Sequence, residues 1–195
     1  MKTDFINDFL KDHLTEKRQI HTEGVRKTAV YLAEKYGADP EKAGFAALCH
    51  DMYRSHSDEE LNQLVKRFGL DDRYLNSRNL SHGKIAACSL REDFGIDDMD
   101  IINAIRYHTT GREGMSLLEK IIYIADAIEP GRNYPGVEKL REAAEKDLDL
   151  ACYLSLSNTV NFVRGQGAHL DEDTLKARDS LFRPEFEKIS IKGEN

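Results

Sequence analysis

The sequence predicts an all-α protein. Apolar residues recur with a helical period along almost the whole chain. Glycines and prolines fall between the periodic stretches, and no stretch alternates apolar with polar residues as a half-buried strand would.

The elements follow in order. Phe5, Ile6, Phe9, Leu10 and Leu14 make one face of a first helix, and Val25, Thr28, Ala29 and Leu32 make a second, ended by Gly37. Asp39-Pro40-Glu41 reads as N-cap, first helical residue and acidic first turn. The helix it opens, EKAGFAALCHDMY, is small and apolar nearly all round and is expected at the centre. Residues 58–68 are amphipathic and stop at Gly69. Ser81-His82-Gly83 opens a helix through Phe94, and Asp97 or Asp98 caps one that runs to Tyr107. HTTGREG (108–114) reads as a loop. Ser116 with Glu119 is a capping-box pattern starting a helix over 116–128, ended by Pro130-Gly131. A long helix with room for a break spans Val137 to Arg164, Gly165-Gln166-Gly167 is a turn, and a last helix covers 171–182.

The 195 residues fit one domain, 1–195, with its core over roughly 15 to 183. The N-terminal stretch is broken by Asp4, Asp8, Lys11 and Asp12 and lacks the apolar run of a signal peptide. No segment approaches the ~20 apolar residues of a membrane span. A cytoplasmic protein is expected. Cys49, Cys88 and Cys152 lie far apart without a C-x-x-C pair, which excludes a disulfide framework and a thiolate zinc site and points to buried reduced thiols. The net charge of -7 and the lack of a basic stripe argue against nucleic acid as a partner. A phosphate ligand would need a local positive site.

One constellation supplies such a site. His50 precedes Asp51 near the end of the apolar helix. Side chains of adjacent helical residues point ~100° apart, and both still reach one point beside the helix, such as a metal ion. A lone His-Asp pair carries little, and a His at a helix end is ordinarily a cap or a dipole partner. An acidic residue within an apolar helix is different, because a buried carboxylate needs a counter-charge or a metal. Asp126, in KIIYIADAIEP, is of this kind, and Asp51 stands where the core helix meets its end, with the same cost of burial. His21 is read at the opening of the second helix, His82 at the opening of another, and His108 after an apolar helix. The set H…HD…H…H…D is the signature of the HD superfamily, and with it the fold class becomes an HD-domain helical bundle.

Imidazole nitrogens and carboxylate oxygens suit iron, manganese, zinc or magnesium. His21, His50, Asp51 and Asp126 can hold one divalent ion, and their two carboxylates cancel its charge. His82 and His108 either take a second ion with Asp51 bridging or contact phosphate directly. A bound divalent ion activates water for attack on phosphorus, with cations offsetting charge on the equatorial oxygens. Arg132, Lys84, Arg18 and Arg26 are the candidate cations, and Arg132 stands out because it directly follows the helix of Asp126.

The sequence resembles the YqeK-type HD hydrolases, the symmetrical diadenosine tetraphosphate hydrolases of bacteria. The matching segments are His21 with the nearby Gly-Val, AALCHDMYR (46–54), SHGKIAA (81–87), AIRYHTTG (104–111) and the long block from Met115 to Val137. Ala127 and Cys49 depart from the family pattern beside these motifs, and neither is a ligand. The resemblance implies a bis(5′-nucleosyl)-tetraphosphatase that releases two ADP and carries iron on His21, His50, Asp51 and Asp126, with Asp51, His82, His108 and Asp126 as the catalytic set. It implies nucleotide contacts at His82, His108, Thr109, Asp126 and Arg132, with a pocket closed by His169, Leu170, Asp171, Glu172, Asp173 and Thr174. Other nucleoside monophosphates or triphosphates, guanosine alarmones and a non-catalytic nucleotide-binding regulator stay open, as does a homodimer.

Overall fold

The computed structural model describes residues 4–189. Among them are α1 (Asp4–His13), α2 (Glu16–Tyr36), α3 (Pro40–Cys49), α4 (Asp58–Arg67), α5 (Arg78–Glu92), α6 (Met99–Arg106), α7 (Leu117–Ile128), α8 (Val137–Lys146), α9 (Leu148–Gly165) and α10 (Glu172–Leu181). Two 3-10 turns, Asp72–Tyr74 and Pro184–Lys188, complete the described residues, which contain no strand. The all-α expectation is met.

Local chemistry sets the boundaries. Asp39 accepts from the backbone N–H of Glu41 and Lys42, Pro40 is the first residue of α3, and Gly37 ends α2 with φ +77°. Asp98, rather than Asp97, caps α6. The break in the long C-terminal helix falls at Asp147, which ends α8 and caps α9 by accepting from the N–H of Asp149 and Leu150. The capping box expected at Ser116 is only half made. Ser116 Oγ accepts from Glu119 N, but the Glu119 carboxylate turns to Arg112 at 2.7 and 2.8 Å and ties down the 108–114 loop. A complete box stands at Ser57 and Glu60, opening α4.

Helix α7 runs through the middle of the structure. Leu118, Ile121, Ile122, Tyr123, Ile124, Ala125 and Ile128 are all buried, and α7 packs against α2, α3, α6, α8 and α9. Small residues of α3 (Ala43, Gly44, Ala46 and Ala47) bring it close to α2, where a Cβ on Gly44 would lie 3.3 Å from Val30. Helices α2, α3 and α7 pack on one another, and α5 joins them through α6, which packs on α3, α5 and α7. No helix of the described residues is long and apolar enough to cross a membrane.

Candidate metal centre

Two starting points shift on the structure. Helix α2 begins at Glu16 behind the Thr15 cap, so His21 sits in its second turn rather than at its opening. Helix α5 begins at Arg78, so His82 lies one turn inside it. Both early turns are polar and carry no apolar period. The consequence is functional, because a residue inside a helix is held more firmly than one at a frayed end.

Four imidazoles converge, each with its Nδ1 turned to an acceptor. The Nδ1 of His50 lies 2.6 Å from the Ala47 carbonyl, that of His82 2.7 Å from Arg78 O, and that of His108 2.7 Å from Ile105 O. A carbonyl only accepts, so Nδ1 carries the hydrogen in each ring. In the neutral rings the lone pair is then on Nε2, the nitrogen that points inward. His21 follows the same logic with a carboxylate, its Nδ1 lying 3.1 Å from Glu129 Oε1.

What these lone pairs face is two carboxylates. His21 Nε2 lies 3.1 Å from Asp126 Oδ1 and 3.7 Å from Asp51 Oδ2. His50 Nε2 lies 3.5 Å from Asp51 Oδ2 and 4.0 Å from Asp126 Oδ1. The other Asp51 oxygen, Oδ1, lies 3.1 Å from His82 Nε2 and 3.8 Å from His108 Nε2, and those two nitrogens are 3.0 Å apart. Acceptors facing acceptors at this range repel unless a proton or a cation lies between them. The Nε2 atoms of His21 and His50 are buried without a hydrogen-bond partner. His21, His50 and Asp126 offer three ligand atoms within 4.8 Å of one another, as do His50, Asp51 and His108. The donor set, its spacing and its unpartnered nitrogens fit a divalent ion.

The electrostatics agree. Burial opposes charge on Asp51 and Asp126, but His50 and His82 around the first, and His21, His50 and Arg132 around the second, hold both well below the usual carboxylate range. Burial also opposes charge on His50, and Asp51 and Asp126 outweigh it, raising the imidazole to about 8. At His108 the same two carboxylates are outweighed. Burial and the neighbouring His82 and His50 push it down to about 3, so it is a neutral ligand or acceptor. The Thr109 hydroxyl lies 3.2 Å from its Nε2 and donates to it.

Two guanidiniums flank the cluster. Arg18, one turn before His21 on α2, donates to Asp51 Oδ2 at 2.7 Å. Arg132 donates to the Asp126 carboxylate and, through Nε at 2.7 Å, to its backbone carbonyl. Both candidate cations therefore reach the centre. Arg26 does not, being paired with Glu23 on the same helix. Lys84, about 200° round α5 from His82, points away from the imidazoles. Its Nζ lies over the Tyr107 ring at 4.0 Å and 3.6 Å from Asp173 Oδ2, and burial lowers it to about 8. It links α5 to the start of α10. There Asp171 and Thr174 are buried, Leu170 and Asp173 partly covered, and His169 and Glu172 exposed.

Glu129 escapes a reading of the sequence. It follows α7 directly before Pro130 and looks like a helix-end charge, yet it is only 5% exposed. Its Oε2 accepts from Gly131 N, and a Cβ on Gly24 would lie 2.6 Å from that oxygen, so glycine on α2 leaves room for the carboxylate. The available signal was its position three residues after Asp126, on the same face of an otherwise apolar helix.

A model of the HD domain matches residues 18–131 of the chain. The sequence is 44% identical over 173 residues to the symmetrical bis(5′-nucleosyl)-tetraphosphatase of Halalkalibacterium halodurans, covering 88% of this chain and 92% of that protein. It is also 44% identical over 167 residues to the protein of the same name from Bacillus subtilis, covering 85% and 90%. Among solved structures, a crystal structure from Clostridium acetobutylicum, described as a predicted HD superfamily hydrolase involved in NAD metabolism, superposes with a TM-score of 0.87. It is 45% identical in sequence, over 93% of this chain and 97% of that one.

Proposed function

The chain belongs to the HD-domain proteins and, within them, to the family of symmetrical bis(5′-nucleosyl)-tetraphosphatases, and on that premise we propose that it hydrolyses diadenosine tetraphosphate to two ADP with iron as its metal. The observation that carries the reading is the convergence of four Nε2 lone pairs on Asp51 and Asp126, each ring fixed by a backbone carbonyl or by Glu129.

His21, His50, Asp51 and Asp126 would hold one ion. The two oxygens of Asp51 face different histidine pairs, which supports a second ion on Asp51, His82 and His108. A divalent ion there makes water a stronger nucleophile at neutral pH and offsets charge on phosphate oxygens. The protein's own share is placement and charge. Arg18 and Arg132 flank the carboxylates and are placed to attract phosphate against the net negative charge of the chain. Thr109, hydrogen-bonded to His108, is placed to orient a phosphate oxygen. The segment over 169–174 would close the nucleotide pocket, and its Asp173 lies 3.6 Å from Lys84 Nζ. ADP is a good leaving group, so no dedicated general acid is required.

A substrate panel tests this. Protein purified without chelator should turn over diadenosine tetraphosphate faster than GTP, guanosine tetraphosphate or AMP, and removal of metal should abolish turnover until ferrous iron is returned. Faster turnover of any other panel member would reassign the substrate. Undiminished turnover after the metal has been removed would overturn the metal reading.

A further inference from the structure

Lys84 is a cation sealed inside the protein. It is 3% exposed, and its Nζ is shut off from solvent with no hydrogen-bond partner. Aromatic surface and opposite charge surround it instead. Nζ lies 4.0 Å from the centre of the Tyr107 ring, 5.9 Å from that of Tyr74 and 3.6 Å from Asp173 Oδ2. An ammonium without hydrogen bonds is costly to bury, and an apolar side chain of similar length would fill the same space without that cost. The charge therefore points to a task other than stability.

The carboxylate it faces belongs to the first turn of α10. Asp171 caps that helix, its Oδ1 accepting from Asp173 N at 2.9 Å. The other Asp171 oxygen, Oδ2, is also buried without a hydrogen-bond partner, 3.9 Å from Arg73 Nη1. Separations of 3.6 and 3.9 Å are longer than direct hydrogen bonds, so charge holds this turn. Helix α10 packs mainly on α9. Lys84 ties its start to the elements of the metal centre, standing two residues past His82 and covering Tyr107, which directly precedes His108. The turn after His108 also lies close on α10, since a Cβ at Gly111 would be 2.9 Å from Ala177 Cβ.

We propose that Lys84 is a positioning residue, its charge holding the start of α10 in register with the His82–His108 pair so that the 169–174 segment meets the nucleoside of a nucleotide whose phosphates lie at the metal centre. Lys84 itself touches no substrate. The inference rests on the reading of the site as one for a nucleotide.

The test compares Lys84→Met, Asp173→Asn and the double variant with the wild type, as full metal-loaded chains of measured metal content. Methionine keeps the length of the side chain and removes the charge. Calorimetry reads the binding of ADP and of inorganic pyrophosphate, which engages the metal centre without a nucleoside. Lys84→Met should weaken ADP binding by about three- to tenfold, the scale of ordering one or two side chains on binding, with pyrophosphate affinity and metal content unchanged. Asp173→Asn should act in the same direction, and the double variant should lose no more than the larger single loss. Wild-type ADP affinity in Lys84→Met would overturn the inference. An equal loss for pyrophosphate would overturn it as well, by placing the effect at the metal centre, and so would losses that add in the double variant. Should Lys84→Met fail to fold, Asp173→Asn carries the same contrast between ADP and pyrophosphate. Failure of the wild type to cleave diadenosine tetraphosphate would end the proposed function, and that contrast would still decide the inference. A wild type with no measurable affinity for ADP would overturn it outright.

Discussion

Glu129 Oε1 lies 3.1 Å from His21 Nδ1, on the side of the ring away from Asp126. The carboxylate fixes which nitrogen carries the hydrogen and makes the inward nitrogen a better ligand. Outer partners of this kind commonly govern metal affinity by about 10- to 100-fold. Glu129→Gln should lower affinity for ferrous or manganous ion on that scale and leave a cooperative unfolding transition. Competition against a chelator measures it, and an unchanged metal affinity would remove Glu129 from the site.

Gly83 leaves room for His108. A Cβ at Gly83 would lie 2.8 Å from His108 Cε1, 2.9 Å from its Nδ1 and 2.9 Å from the Ile105 carbonyl oxygen, the acceptor that orients the ring. Backbone cannot yield as a side-chain end can. Gly83→Ala should destabilise the fold by about 1–3 kcal/mol, as overpacking does, and should lower turnover in the molecules that remain folded. Urea unfolding and activity at low temperature check both. A variant more stable than wild type, as helix propensity alone would give, would contradict the account.

Arg132 is bound to Asp126 through both carboxylate and carbonyl, so its removal separates two roles. As a phosphate contact, Arg132→Ala should raise KM by about tenfold or more, on the scale of a hydrogen bond to a charged group. The metal should be retained, because a competing cation on Asp126 has gone. Unchanged kinetics would reduce Arg132 to a structural tie.

The thiols give a prediction away from the site. Burial pushes Cys49 and Cys152 far above the ordinary thiol value, and raises the partly exposed Cys88 as well. A raised pKa means less thiolate at any pH, and thiolate is the reactive form. Iodoacetamide at pH 8 should leave Cys49 and Cys152 unmodified in the folded protein and alkylate both once it is unfolded, read by peptide mass. Rapid modification of Cys152 in folded protein would contradict its burial against the Lys120 carbonyl.

The sequence announces the ligands and is nearly silent about what orients them. His21, His50, Asp51, His82, His108 and Asp126 stand out because acids within or at the end of apolar stretches, and histidines read at helix junctions beside them, are costly to bury unless they are used. Glu129 looks like a charge at a helix end, and only packing shows its carboxylate behind an imidazole. The helix starts at Glu16 and Arg78 are missed for a related reason. Their first turns face solvent and carry no apolar period, whereas the core stretches of α3, α6 and α7 declare themselves. Lys84 shows the limit of motif reading. It lies within the SHGKIAA segment, but helical geometry turns it from the imidazoles toward Tyr107 and Asp173.

The most direct test is the product pattern from diadenosine tetraphosphate, resolved by chromatography on protein whose metal content is measured in the same sample, beside Asp51→Asn. The account predicts ADP as the sole nucleotide product of the wild type. The variant, though folded, should hold less metal and turn over at least about 100-fold more slowly, since it loses the carboxylate that both histidine pairs face. ATP with AMP, or near-normal turnover by Asp51→Asn, would contradict it.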